Sequence, residues 1–269
     1  MTATTPARDL PTLDLSGTAN IPFSRLVKIE LRKSYDTRAS FWLLAAIGII
    51  VLLVEGIVLI VTTVNDDLVQ FGDFVGAAAF LTSLLLPVLG IMLVTSEWSQ
   101  RTAMVTFALE PRRSLVVWAK LIVGLILTLI TALVATALGL VMNLLYAVLH
   151  GSPDWTFGWN FFFGFLIAQS LAMISGFALA TLLLNTPAAI VAFFAYRWVL
   201  PAIFAIAAYN IDWFDDASKW FDFQRAQIPI NDLTLNTGAE WAHLIVSGVI
   251  WLVLPLAFGL RRILTAEVK

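Results

Sequence analysis

The chain has no cysteine, which excludes a disulfide framework and any thiolate-ligated metal. It is also poor in charge: Asp, Glu, Lys and Arg make up 13% of the 269 residues, 60% are hydrophobic, and the mean hydropathy is +0.90. A soluble domain averages about 25% charged residues, so this balance excludes that class and implies a polytopic membrane protein. No GxxxxGK[ST] phosphate loop and no HExxH occur, so the chain carries neither a Walker nucleotide site nor a zinc-protease helix. The only histidines, His150 and His243, fall at the outer ends of different expected spans, with no acidic cluster at metal-ligand spacing. No catalytic residue, no metal site and no nucleic-acid partner are therefore expected, and the chain is not expected to be an enzyme.

What is present is a succession of long apolar runs. Residues 1–20 are polar and rich in Thr and Pro, and are expected to be a disordered tail rather than a cleaved leader; 21–269 read as a single transmembrane domain. Over 22–36, Phe23, Leu26, Val27, Leu31 and Tyr35 recur at helical spacing among Arg25, Lys28, Arg32 and Lys33, which predicts an amphipathic helix lying in the membrane interface. Apolar stretches at about 41–64, 72–95, 121–149, 159–184, 188–209 and 241–260 each supply the ~20 residues that cross a bilayer. No charge occurs from Trp155 to Tyr196, and Asn185-Thr186-Pro187 is the natural break between the two spans there. Gly72 and Gly76 form a GxxxG pair at the start of the second span that would permit close helix approach. The fold class expected is all-α, with six transmembrane helices.

Basic residues orient the bundle. Six Lys and Arg precede the first span, four lie in the loop 97–120 and three follow the sixth span, whereas only Lys219 and Arg225 lie on the other side. The positive-inside rule then puts both termini and that loop in the cytoplasm. The segment 210–240 falls outside; Trp213, Phe214, Ala217, Trp220 and Phe221 share one face of an expected short helix, opposite a largely acidic one. Two charges lie deep within spans, Glu55 and Arg197. Each costs at least ~2.5–3.5 kcal/mol at mid-membrane unless paired or wetted. At 1.5 Å per residue they sit about 21 Å and about 15 Å from the cytoplasmic ends of their helices. The expectation is that they pair, or line one wetted cavity.

Within the loop 97–120, Glu97 and Trp98 leave the second span, Thr102, Val105, Thr106 and Leu109 continue at helical spacing, and Pro111 stops the helix. Arg112 and Arg113 are expected at headgroup level, with Trp118 and Lys120 opening the third span. The run Glu97-Trp98, Thr102, Phe107, Leu109, Pro111-Arg112-Arg113 and Lys120 resembles the signature between the second and third spans of type-2 ATP-binding-cassette (ABC) permeases, the transmembrane subunits of bacterial exporters. The resemblance covers nearly the whole ordered chain, with one departure: members often carry Gly just before the threonine, where this chain has Arg101.

The resemblance implies a permease in the cytoplasmic membrane of a bacterium, paired with a second copy or a related permease. Two separate ATPase subunits would bind the ATP and Mg, the permease itself holding no cofactor. It also implies ATPase-coupling contacts at Glu97, Arg101, Thr102 and Phe107, a loop anchor at Pro111, Arg112, Arg113 and Lys120, and an outer gate at Trp213, Phe214, Trp220 and Phe221. The cargo would be an amphiphilic drug, lipid, peptide or glycan. A gradient-driven secondary transporter and a non-transporting assembly or sensory subunit are the alternatives; six spans without an internal repeat and few membrane carboxylates count against the first.

Overall fold

The structure, a computed structural model, describes residues 20–151, 159–231 and 233–266. The tail expected over 1–20 lies outside them apart from Asn20, as does the 152–154 portion of the turn after the third span. The described residues form helices joined by short connections, with no strand among them. Six helices are long and apolar enough to cross a membrane.

In chain order, α1 (Phe23–Asp36) is followed by α2 (Arg38–Asn65), α3 (Phe71–Ser99), the short α4 (Ala103–Leu109) and the long α5 (Arg113–His150). Then come α6 (Trp159–Leu183), α7 (Thr186–Asn210), α8 (Asp212–Ser218), α9 (Phe223–Ala226) and α10 (Gly238–Thr265). Local chemistry sets these boundaries. The Asp73 carboxylate accepts from the Gln70 N–H at 2.9 Å where α3 begins. Asn185 caps α7, its Oδ1 accepting from the Ala188 N–H at 3.0 Å, with Pro187 in the first turn, where a missing N–H costs nothing. Thr237 and Glu240 form a reciprocal capping box at the start of α10.

α7 and α10 each carry one π-helical turn, at Ala195–Val199 and Val249–Val253. Both end two residues before a proline, Pro201 and Pro255. Each proline lacks the N–H that would bond the carbonyl four residues back, and the wider turn takes up the fault.

Side-chain bonds between elements define two ends. One, rich in Lys and Arg, gathers α1, the end of α3, α4, the start of α5, the α6–α7 connection and the end of α10, through bonds such as Thr186 Oγ1 to Thr95 Oγ1 at 2.8 Å and Arg113 to the Ile263 carbonyl at 2.9 Å. At the far end, Tyr146 of α5 donates to the Asp67 carbonyl at 2.8 Å. α3 is central, with half of its most apolar stretch buried; α2, α7 and α10, at 17% each, turn apolar faces outward.

The main seam joins α3 to α6. A Cβ on Gly90 would stand 3.0 Å from the Met173 carbonyl oxygen, and one on Gly176 would stand 2.6 Å from that of Pro87. Only glycine permits backbones this close. The Gly72–Gly76 pair does not play that part: nothing lies within 4 Å of a Cβ on Gly72, and only the Phe161 ring edge, at 3.9 Å, approaches one on Gly76. Spacing alone marked the wrong glycines, because the close approach depends on which face meets α6.

The segment 210–240 also differs from the single amphipathic helix expected. α8 stops at Ser218, leaving Trp220 and Phe221 in the turn that follows. The chain then folds back into the bundle, burying Phe223 and Ile230 and laying the carbonyls of Ile230 and Asn231 against Gly164 of α6.

Candidate functional site

At the Lys/Arg-rich end, four ionisable side chains from three helices close a ring. Glu30 and Lys33 come from α1, Glu97 from the last turn of α3 and Lys120 from α5. Lys33 Nζ lies 2.6 Å from Glu30 and 2.8 Å from Glu97; Lys120 Nζ lies 2.6 Å from Glu30 and 3.2 Å from Glu97. Each ammonium thus bridges both carboxylates, and the charges sum to zero. Glu30, Glu97 and Lys120 are buried, while the Lys33 side chain is 42% exposed. Thr106 of α4 adds a hydroxyl to Glu97 at 3.1 Å. Burial alone would lower the Lys33 ammonium, but the Glu30 and Glu97 carboxylates overcome it and hold it above the ordinary lysine value.

The ring lines a cavity of about 300 Å³ that opens beside α4. α4 is fastened around it on several sides. The Thr102 N–H donates to the Glu97 carbonyl at 2.9 Å, closing the turn from α3. Phe107 packs inward on Trp98, ring centroids 6.2 Å apart, beneath the Arg113 guanidinium 5.0 Å from its ring. Met104 and Leu109 are left exposed away from the cavity, at 51% and 73%, while Val105, also exposed, stands in the cavity wall.

The residues singled out from sequence therefore divide. Glu97 and Phe107 turn into the bundle, whereas Arg101 and Thr102 form the exposed turn between α3 and α4. Arg101 sits at φ +57°, the left-handed region that glycine occupies freely and a side chain does not. Pro111 lies between α4 and α5. Arg112 grips the Glu110 carboxylate through Nε at 2.8 Å and Nη2 at 3.0 Å and reaches the Ile21 carbonyl at 2.9 Å. Its hydrogen bonds hold the Glu110 carboxyl below the ordinary carboxylate value. Arg113 donates to the carbonyls of Ile263 at 2.9 Å and Ala266 at 2.8 Å, capping the end of α10. These two arginines hold the loop to the two ends of the described chain, not to headgroups alone. Lys120 lies buried inside the charge ring.

The Glu55–Arg197 pair is not formed. Glu55 is completely buried on the stripe Ile47, Val51, Glu55 of α2, and among the described residues neither of its carboxylate oxygens has a hydrogen-bond partner. Arg197 lies on the π turn of α7, its guanidinium carbon 6.0 Å from the Trp198 ring, with no ion-pair partner among the described residues. Rotation about the helix axis, which decides partners, is not contained in depth along the helix.

At the far end, Trp213 is 70% exposed, Phe214 meets Phe204 edge-on at 5.9 Å, and Trp220 meets His243 at 4.6 Å. The Phe221 carbonyl accepts from the Trp251 indole at 2.8 Å, joining this segment to α10. Sequence reasoning missed Glu30 as a site residue and counted Lys33 only as a positive charge. The available signal was that Glu30 is the one acid inside an otherwise basic helical stretch, 22–35.

No family model matches the chain, and no curated protein matches it.

Proposed function

We propose that the chain is the membrane subunit of an ATP-driven exporter of the type-2 ABC permease kind. In this reading the Lys/Arg-rich end faces the cytoplasm with both termini, and α1 lies amphipathically in the interface. The protein works as a dimer in a bacterial cytoplasmic membrane with two ATPase subunits that hold ATP and Mg. The observation that carries it is α4: seven residues at the basic end, presenting Met104 and Leu109 outward while Thr106 ties it to Glu97 and so to the charge ring of α1, α3 and α5. A short helix that exposes apolar side chains and is fixed at its base suits receiving force from a soluble partner.

The test is reconstitution of the full chain with an ABC-type ATPase subunit from the same genome. The expected result is ATP hydrolysis by the complex that falls when Met104 and Leu109 are replaced by Asp while membrane assembly is unchanged. Hydrolysis indifferent to α4, or transport abolished by an ionophore and independent of ATP, would refute the proposal. The second outcome would favour a gradient-driven carrier, to which the unpartnered Glu55 carboxylate would be suited.

A further inference from the structure

Arg197 opens into a cavity of about 260 Å³ formed where α3, α6 and α7 meet the chain that folds back after α8. The other polar lining comes from Ser83, Gln169, Gln224, Gln227 and Asn231. Gln169 donates its amide to the Ala79 carbonyl at 2.9 Å, and among the described residues neither Gln169 Oε1 nor Gln224 Oε1 has a partner. A guanidinium with no carboxylate among the described residues and two amide oxygens that can accept but not donate thus share one small space. Its volume lies below the range usual for drug-sized ligands and suits a single polar group.

A second cavity, of about 630 Å³, borders it along Gln224 and Ile228 and runs toward the far end. One wall is apolar, made by Pro201, Phe204, Ala205 and Ala208 of α7. Its charged residues are already engaged: Arg225 pairs with Asp215 at 2.7 Å, and Asp222 accepts two backbone N–H groups of α9 at 3.0 Å. Arg197 is the one charge lining either cavity that has no polar partner among the described residues. The π turn that carries it is the kind of helix fault that recurs at functional sites.

We infer that these joined cavities form a binding site for an amphiphile with a monoprotonated phosphate head, its anionic oxygens on Arg197 and its P–OH donating to a glutamine Oε1, the apolar body along α7. Only the apolar limb separates such a ligand from a free anion, because the chemistry at Arg197 is the same for both. As a statement about cargo the inference rests on the exporter reading. As a statement about binding it stands without ATP or any partner.

The experiment is equilibrium binding of labelled dodecyl phosphate to the full chain in phosphatidylcholine nanodiscs, with dodecyltrimethylammonium and inorganic phosphate as competitors. Saturable binding is expected, weakened about tenfold or more by Arg197→Gln and largely kept by Arg197→Lys. Ala205→Trp, at an exposed position that leaves the polar cavity intact, is expected to weaken dodecyl phosphate as well. Unchanged binding in Arg197→Gln, or equal displacement by the ammonium compound, overturns the site. Inorganic phosphate competing as well as dodecyl phosphate, or Ala205→Trp without effect, overturns the amphiphile. ATPase activity is not read here, so failure leaves the exporter proposal untouched, and loss of α4 docking leaves the binding result untouched.

Discussion

Removing Lys120 tests the charge ring most sharply. Its ammonium is 7% exposed and touches both Glu30 at 2.6 Å and Glu97 at 3.2 Å. In Lys120→Met, two carboxylates at 5% and 9% side-chain exposure share the single remaining Lys33. Leaving a buried charge uncompensated costs about 3–5 kcal/mol. Lys33→Met removes the same formal charge from a side chain 42% exposed, where water screens the pair, so about 1 kcal/mol or less is expected. Glu97→Gln alone strands an ammonium and is again expected to cost several kcal/mol, about 3–5. The double variant Glu97→Gln/Lys120→Met restores neutrality and leaves Glu30 on Lys33 at 2.6 Å. Its loss should fall short of the sum of the single losses by about 1–3 kcal/mol, the size of coupling between residues in one network. The assay is reversible unfolding of the purified chain in mixed micelles by added SDS, followed by helical circular dichroism. Equal losses for Lys33→Met and Lys120→Met, or a double variant that simply adds, would refute the ring as a coupled unit.

The same titration measures three further substitutions. Arg101→Gly relieves the left-handed backbone at φ +57° and should stabilise the turn by about 1 kcal/mol; destabilisation would mean that the side chain makes a contact worth more than the strain. Glu55→Met replaces a fully buried carboxylate that has no partner and should stabilise by about 1–3 kcal/mol, whereas a loss of stability would refute the unsatisfied state. Gly176→Ala should cost about 1–3 kcal/mol because its Cβ meets the Pro87 carbonyl at 2.6 Å, while Gly72→Ala, in open space, should be neutral or gain up to about 1 kcal/mol; the reverse order would put the close crossing at the wrong glycines. pH gives an independent test. Arg112 depresses the Glu110 carboxyl, so its contribution is complete above the ordinary value of 4.5 and is lost as pH falls through the lower folded value. Lys33 is raised, so its contribution is complete below 10.5 and is lost as pH climbs through the higher folded value. Fluorescence of Trp98, in a variant retaining only that tryptophan, should therefore hold steady from about pH 5 to about pH 10; a transition near pH 7 would refute the assignment.

How much of this could be read from the chain depends on whether a feature is local. The six spans could, because about 20 consecutive apolar residues are a property of one stretch. So could the α6–α7 break, where Asn185 and Pro187 provide a cap and a stop within three residues. The loop 97–120 is recognisable as a short helix ended before Pro111. The charge ring was not legible: Glu30 and Lys120 are 90 positions apart, and nothing in either neighbourhood names the other. The glycine seam failed for a related reason, since Gly72 and Gly90 look alike until α6 is laid against one of them. The π turns left a trace in Pro201 and Pro255, but a mid-span proline predicts a fault in the helix without saying which carbonyls it frees.

α3 links the two sites. It carries Glu97 in the charge ring at one end and, 14 residues or about 21 Å earlier, Ser83 in the wall of the Arg197 cavity. Between them it meets α6 at Pro87 and Gly90, close against the backbone of Gly176 and Met173. A displacement of α4 that drags Glu97 must therefore either break the ring or move α3 along α6. Gln169 of α6, bonded to the α3 carbonyl at Ala79, lies in the cavity wall that such a slide would shear. Common location is not coupling, but it defines a measurement. If α4 drives the cavity through α3, Gly176→Ala, which jams the seam without touching either site, should leave dodecyl phosphate binding and ATPase docking intact while uncoupling hydrolysis from bound ligand. Normal stimulation of hydrolysis by ligand in that variant would place the connection elsewhere.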